Sequence, residues 1–265
     1  MNIRQMMKKY TDDGLTRALA SARVCQDIIL KAIADGPLNR NVTIKGGVVM
    51  RSITSDDRRS TRDIDLDFIH YPLSDEGIRG FIRQLNVIDG LSIVVDGEIA
   101  ELKHQDYHGK CINVKITDDT GFSVNSKIDI GVHKHFDIKQ DEYCFDVCMS
   151  EDGASLLKNT VEQSFTEKLR SLLIFGSNSR RYKDIYDLYY LKNVVDLKIL
   201  RDVIQILIFD DEGMREKDFS DILRRVTVTF SDEHYLADVS DSRQRWMDED
   251  INVIAGGITD FIRSL

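Results

Sequence analysis

The chain has 265 residues, of which 42% are hydrophobic and 31% charged, proportions that are typical of a globular protein and exclude a disordered one. Its 36 basic and 45 acidic residues give a formal net charge of −9, which excludes the broad basic field of a protein that coats nucleic acid, but not a local nucleic-acid contact. No apolar stretch approaches the ~20 residues that span a bilayer, and the start MNIRQMMKKY has no apolar signal region, so we expect a cytoplasmic protein without membrane contact.

The first half of the chain mixes helix and strand patterns. Apolar residues recur at helical spacing over 15–34, which predicts a helix. Residues 42–44 are predicted as a short strand that ends at Gly46-Gly47, and residues 48–51 as the start of a short helix. Strict alternation over 63–68 predicts a half-buried strand, and Ser74 is predicted to cap a helix that ends near residue 85. Four more strand-like segments follow, at 91–95, 99–103, 111–116 and 123–132.

The pattern becomes helical after about residue 150. Phe165, Leu169 and Leu172 share one helical face, and Gly176 can end that helix. Further helices are predicted at 180–192, 196–209, 217–226 and 242–263. We therefore predict two domains, a mixed α/β domain over 1–155 and a helical domain over 156–265.

The cysteines and two nearby histidines leave a zinc site open. His133-x-His135 precedes Cys144-x3-Cys148, and pairs of this kind can bind zinc. No glycine shapes a knuckle between the two pairs. In a cytosolic chain we favour reduced buried thiols and surface histidines instead.

Three carboxylates lie on one face of the alternating strand. Asp63, Asp65 and Asp67 alternate with apolar residues, so they point away from the core. Neighbours on that face are ~7 Å apart, and their repulsion costs about 2 kcal/mol per pair at an effective dielectric constant of about 20. Either full solvation of an ordinary amphipathic strand or a bound divalent cation such as Mg²⁺ relieves that cost.

A later strand repeats this arrangement. In Lys127-Ile128-Asp129-Ile130, the charged residues again alternate with apolar ones. If the two strands are neighbours, Asp63, Asp65 and Asp129 converge. Three carboxylates can hold two metal ions ~4 Å apart, the geometry used for in-line displacement at phosphorus.

The segment Lys45-Gly46-Gly47 stands between a strand and a helix. Two glycines allow close approach of a ligand to the backbone, and the free N–H groups at a helix start favour anions. A tight turn that needs positive φ explains the pair equally well in isolation. Its position before the acidic strand favours a phosphate cradle.

These residues together resemble a known superfamily. Gly46-Gly47, the Asp63-x-Asp65 strand and Asp129 are similar to the nucleotidyltransferases of polymerase-β type. Glu167-Lys168-Leu169 and the later segment 180–189, Arg-Arg-Tyr-Lys-Asp-Ile-Tyr-Asp-Leu-Tyr, resemble the AbiEii/AbiGii toxins of that superfamily. The resemblance covers about residues 40–192. It implies an α/β (α+β) fold, in which a mixed sheet with flanking helices is followed by a helical domain.

The resemblance also implies an activity. Such an enzyme moves a nucleotidyl group from an NTP substrate to an acceptor, often the 3′ end of a tRNA or another RNA, with Mg²⁺ or Mn²⁺ as cofactor. Its members are toxins with a cognate antitoxin, in toxin–antitoxin or abortive-infection phage defence systems.

The resemblance assigns roles to individual residues as well. By position, Asp63, Asp65 and Asp129 would bind metal, with Asp129 as a third carboxylate that binds metal or helps to deprotonate the acceptor. Lys168 and Asp184 would be the catalytic residues of the late motifs. The groups expected to hold nucleotide phosphate are Gly46, Gly47, Lys168 and Arg181.

Two positions depart from the family pattern. Val48 replaces a small hydroxyl residue, and Lys183 replaces an arginine that could bind phosphate bidentately. The late motif also contains i, i+4 charge pairs that could simply support an exposed helix.

A phosphotransferase on the same fold and a catalytically silent partner-binding protein are the alternatives to the nucleotidyltransferase.

Overall fold

A computed structural model of the chain describes residues 2–102 and 109–265. These residues form two compact units, one that ends at Asn159 and one over Thr160–Leu265. The predicted domain boundary after residue 155 falls inside a strand, Ser150–Lys158, that belongs to the first unit. Each unit has its own core and is described separately.

The first unit is built on a mixed β-sheet. Its eight described strands are β1 Val42–Lys45, β2 Ile64–Phe68, β3 Leu91–Val95, β4 Ala100–Glu101, β5 Lys110–Asp118, β6 Ser123–Val132, β7 Asp141–Val147 and β8 Ser150–Lys158. The order across the sheet is β3-β5-β6-β2-β1-β8-β7, and β4 pairs with β5 off this path. The β2–β6 and β1–β8 pairs are parallel, whereas β1–β2 is antiparallel. The predicted mixed α/β fold class is therefore confirmed.

Helices cover the apolar side of this sheet. Those of the first unit are α1 Ile3–Asp12, α2 Arg17–Asp35, α3 Gly46–Thr54 and α4 Asp75–Gln84. The alternation predicted for β2 is confirmed, because Ile64 and Leu66 join the core with Ile28 of α2 and Val48 of α3. The acidic side chains of β2 therefore point to the opposite side of the strand.

The ends of these helices follow local capping chemistry. The predicted helix over 15–34 begins at Arg17, since the Thr16 hydroxyl accepts the Leu19 N–H. Ser74 caps α4 through the Gly77 N–H, as the sequence indicates. The first helix, α1, lacks a sequence prediction; its Asn2 forms a reciprocal capping box with Gln5.

The hairpin β7–β8 corrects the sequence analysis. The pattern from about residue 150 was expected to be helical, but residues 150–158 form a strand that pairs with β7, with more and less buried positions alternating over 154–158. Gly153, inside this strand, has φ +68°, outside the strand region. Glycine is uncommon inside strands, so its presence weakened the strand pattern in the sequence. Of the predicted strand over 99–103, only 100–101 pairs, and Lys103 lies outside the described residues.

The second unit is helical, as predicted. Its described α-helices are α5 Val161–Phe175, α6 Tyr182–Leu191, α7 Leu197–Ile204, α8 Phe219–Phe230, α9 Glu233–Asp241 and α10 Ile251–Ser264. The helix predicted over 242–263 was wrong in its first half: α9 ends before Ser242, and Asp250 caps α10. Between them Trp246 is buried. No described helix is long and apolar enough to cross a membrane.

Candidate active site

The strand register brings three predicted residues together. Asp65 of β2 is the register partner of Asp129 in the parallel strand β6 and of Lys45 in the antiparallel strand β1. Asp63 immediately precedes β2. The strands of the two acidic motifs are thus neighbours, which is the condition that the sequence analysis required. We call Asp63, Asp65 and Asp129 the acidic corner.

Lys127 places a positive charge in the acidic corner. Its Nζ lies 2.8 Å from Asp129 Oδ2 and 3.9 Å from Asp63 Oδ2. Although burial acts in the opposite direction, the hydrogen bond to Asp129 and the charges of both carboxylates raise the pKa of Lys127. The ammonium group therefore compensates two of the three acids, a role that the sequence analysis did not assign to it.

The glycine pair is shaped around the side chains beside it. Gly46 has φ +63°, and a Cβ on it would lie 2.2 Å from Asp65 Oδ2. A Cβ on Gly47 would lie 2.4 Å from Thr61 Oγ1. The Gly47 N–H, at the start of α3, donates to Asp65 Oδ2 over 3.4 Å. The glycines thus let the helix start approach Asp65 closely, as a tight turn with positive φ at Gly46. The phosphate cradle expected at this pair stays a prediction.

Asp65 is poorly compensated for its burial, and Asp129 keeps one oxygen unpaired although Lys127 holds the other. Burial raises the pKa of Asp65, and the charges of Asp129 and Asp63 raise it further, whereas Lys45 and the Gly47 N–H act in the opposite direction. Asp129 Oδ1 is shielded from solvent and has no hydrogen-bond partner among the described residues. Burial first, and then Asp129, also raise the pKa of the neighbouring Cys111 to about 11, so its thiol stays protonated at neutral pH.

Asp67 is separate from the acidic corner. Although it shares the face of Asp63 and Asp65, it forms a buried ion pair with Lys45, with 2.7 Å between Lys45 Nζ and Asp67 Oδ1. His133 is nearby, and burial lowers its pKa below the ordinary 6.5, with Asp67 acting in the opposite direction. Asp67 therefore neutralises the buried ammonium group of Lys45, the residue that precedes the glycine pair.

The corner offers suitable metal donors without a completed metal cage. Carboxylate oxygens are the ligands that Mg²⁺ prefers, and the orphaned Asp129 Oδ1 is an available acceptor. Among residues 2–102 and 109–265, however, no group of three or more His, Cys, Asp or Glu side chains is arranged to hold a metal ion. The donor set fits Mg²⁺ in chemistry, while Lys127 is the cation that contacts it.

The possible zinc ligands do not form a site within that same part of the chain. Cys144 is exposed and Cys148 is half-buried; the Cys148 N–H donates to Asp27. His133 is buried, so the expectation of surface histidines was wrong for it. Of the four cysteines, expected to be reduced and buried, all are free but only Cys25 is fully buried.

The late motifs form an ion-pair network in the second unit. Lys168 Nζ on α5 lies 2.8 Å from Asp184 Oδ1 and 2.8 Å from Asp187 Oδ2, both on α6. Asp187 is fully buried, and the Trp246 indole donates to its other oxygen over 3.1 Å. The sequence analysis missed Asp187 and Trp246. The i, i+3 spacing of Asp184 and Asp187 could have indicated the first, because it places both on one helix face.

The basic residues around this network are partly neutralised. Arg181 is exposed, and its Nη1 lies 3.9 Å from Asp184 Oδ2. Arg170 pairs with Asp211 at 2.8 Å. The basic residues around Lys168 are therefore interleaved with acids of the same unit.

Comparison with known proteins identifies the family. The sequence profile of the AbiEii nucleotidyl transferase toxins, of type IV toxin–antitoxin systems, matches residues 28–254. The chain belongs to the AbiEii toxin family. The match spans both compact units, and it confirms the resemblance drawn from the motifs. Membership in this AbiEii family supports a nucleotidyltransferase and implies an antitoxin partner.

Other comparisons add little to the AbiEii assignment. A solved structure similar to this chain is an antigenic nucleotidyltransferase-like protein from Paracoccidioides brasiliensis. It is 12% identical, has a TM-score of 0.45, and is aligned over 80% of this chain and 90% of its own. The comparison with curated proteins finds no significant match.

Proposed function

We propose that this AbiEii family member transfers a nucleotidyl group from an NTP to an acceptor hydroxyl, such as the 3′ end of a tRNA, and that it needs Mg²⁺ or Mn²⁺. The observation that carries the proposal is the register of Asp65 with Asp129 beside the glycine pair at the start of α3. That register brings Asp65 and the unpaired Oδ1 of Asp129 close to the Gly47 N–H at the start of α3, a combination suited to holding a metal–triphosphate.

The chemistry is a displacement at the α-phosphorus. The acceptor oxygen forms a bond to that phosphorus, the bond to the bridging β-oxygen breaks, and pyrophosphate leaves. Asp129 would take the hydroxyl proton, since its Oδ1 is the unpaired acceptor in the corner. A metal held by Asp63 and Asp65 would neutralise charge on the phosphates. Lys127 holds the other oxygen, Oδ2, over 2.8 Å and would keep the carboxylate oriented.

A further proposal concerns a phosphate contact at the late motifs of the second unit. We propose that Lys168 binds nucleotide phosphate, with Asp184 and Asp187 holding it in one orientation before substrate arrives. Arg181 is exposed and only loosely paired, so it would be free to turn to a phosphate oxygen. The cell-level role we propose is that of a toxin in an abortive-infection system.

The decisive experiment follows labelled phosphate. The full chain is incubated with each α-labelled NTP, Mg²⁺ and total RNA, beside Asp65→Asn and the matched control Asp35→Asn, an exposed carboxylate that pairs with Lys31. We expect label to enter RNA with the native chain and the control, and to fall at least about a hundredfold with Asp65→Asn. A chelator should abolish transfer by the native chain.

The alternatives give different results in the same assay. Transfer of γ-label instead of α-label would identify a phosphotransferase and contradict the proposal. Absence of transfer of either label, with toxicity unchanged in the double variant Asp63→Ala and Asp65→Ala, would identify a catalytically silent partner-binding protein.

A further inference from the structure

A cavity of about 380 Å³ lies in the first unit on the helix-covered side of the sheet. Its wall comes from α1, α2, the end of α3, the loop that leads to Asp63, and β7. The lining includes Tyr10, Arg23, Arg51, Ser52, Thr61 and Tyr143. The volume is within the range of about 300 to 1,000 Å³ that is usual for small-molecule sites. The carboxylates of the acidic corner do not line it.

Arg51 has donors to offer at this cavity. Its Nη1 donates to Gln26, but Nε and Nη2 are shielded from solvent and have no hydrogen-bond partner among the described residues. Nε and Nη2 together form the fork that matches two oxygens of a phosphate or carboxylate. A shielded cation with two unmatched N–H groups is costly, so an oxyanion in the cavity would be stabilised by filling them.

The other arginine of the cavity is already satisfied. Arg23 pairs with the buried Asp27 at 3.3 Å and donates to the Tyr10 hydroxyl, which itself donates to Asp27. Tyr143 donates to the Ser52 carbonyl. The two tyrosine rings therefore stand as fixed walls, and Arg51 is the cation whose fork lacks acceptors within the described part of this wall.

The charge around the cavity restricts the ligand. Asp13, Asp57 and Asp146 line it and are exposed, so they repel a polyanion such as a triphosphate or an RNA backbone. A single phosphate group is repelled less, and it would contact the fork once Arg51 turns Nε and Nη2 toward the cavity, where Ser52 and Thr61 also form part of the lining. The acids favour an organic part that carries hydrogen-bond donors.

We propose that the cavity at Arg51 is a binding site for a small phosphate monoester, such as a nucleoside monophosphate, separate from the acidic corner. The site touches the corner's support: Gln26, held by Arg51, donates to the Thr61 carbonyl over 3.1 Å and to the Asp63 carbonyl over 3.5 Å. Thr61 also fills the space above Gly47. A ligand here would contact the loop that positions Asp63.

Calorimetry on the purified full chain tests this proposal with inorganic phosphate, AMP, ATP and succinate as probes, in the presence of a chelator so that no metal–triphosphate can bind at the acidic corner. We expect AMP to bind more tightly than inorganic phosphate and ATP, and succinate to bind weakly. Arg51→Lys keeps the charge but loses the fork, so AMP affinity should fall at least about tenfold. The matched control is Arg224→Gln, an exposed arginine of the second unit, which should leave affinity unchanged.

A second variant guards against misfolding of the first. Leu15→Trp puts a larger side chain on the cavity wall, in the α1–α2 loop, while leaving Arg51 unchanged, and should also abolish AMP binding. Asp65→Asn should retain it, which separates this site from the proposed transferase site. The proposal is overturned if the native chain does not bind AMP at about 1 mM, if succinate or ATP binds as tightly as AMP, if both cavity variants bind normally, or if only Asp65→Asn loses binding.

Discussion

Substituting Gly46 with alanine should damage the acidic corner in a way that can be calculated from the structure. A Cβ at this position would lie 2.2 Å from Asp65 Oδ2, whereas real Cβ contacts essentially never fall below 3.0 Å. The carboxylate must therefore move by at least 0.8 Å, the difference between those two distances. A misplacement of about 1 Å in a positioned group costs on the order of a hundredfold in rate, so we expect kcat to fall by about that factor.

The backbone contributes a separate cost that a control can remove. Gly46 has φ +63°, and an alanine in the left-handed region loses about 1 to 2 kcal/mol. Gly121 has a similar φ of +78°, but a Cβ there meets nothing within 4 Å. Gly121→Ala therefore carries the backbone strain without the contact.

Two measurements on this pair of variants separate the effects. Urea unfolding should show a loss of about 1 to 2 kcal/mol for Gly121→Ala and a larger loss for Gly46→Ala. Nucleotidyl transfer from α-labelled NTP should fall only for Gly46→Ala. Equal activity in the two variants would refute the inference that the glycine is required by Asp65, and would leave only its backbone conformation.

Three other predictions concern buried charges. Lys45→Met leaves Asp67 buried without its partner, so urea unfolding should show a loss of about 3 to 5 kcal/mol in the free energy of unfolding. The double variant Lys45→Met with Asp67→Leu should recover most of that loss. A single variant as stable as the native chain would contradict this prediction. Trp246→Phe removes the donor to Asp187 and should cost about 1 to 3 kcal/mol by the same method, and no loss would show that this hydrogen bond is dispensable. Because the pKa of His133 is lowered in the folded state, the unfolded state binds more protons, and the free energy of unfolding should decline as pH falls below about 6.5. Urea unfolding of His133→Phe across this pH range should show a smaller decline. An equal decline in the variant and the native chain would mean that other groups cause it.

Local patterns in the sequence were sufficient for the strands that carry the corner. The alternation of β2 predicts its two faces, and β6 spans the predicted residues 123–132. Proximity of Asp65 and Asp129 needed one further assumption, that the strands are neighbours. Strand order depends on how the whole chain folds back, so the sequence pattern could state that condition but could not test it.

The partners of the charged residues were harder to predict. Trp246 reaches Asp187 from 59 positions away, through a connection that the helical pattern over 242–263 concealed. The Lys45–Asp67 pair was missed for a different reason. Alternation places Asp63, Asp65 and Asp67 on one face, but the depth of each depends on the antiparallel neighbour β1, which supplies a lysine to Asp67.

The distribution of cations explains why Asp65 is the residue on which function should depend most. Lys45 lies against Asp67, and Lys127 lies against Asp129 and within 4 Å of Asp63, so each of these acids has an ammonium group nearby. Asp65 has no ion-pair partner within the described residues; it accepts the long bond from the Gly47 N–H, and the charge of Lys45 offsets its burial only in part. Burial first, and then the charges of Asp129 and Asp63, raise its pKa. A weakly compensated carboxylate beside two others lowers the stability of the fold, and the binding of a cation or a proton recovers that loss. The acidic corner therefore favours the binding of a cation or a proton even without substrate.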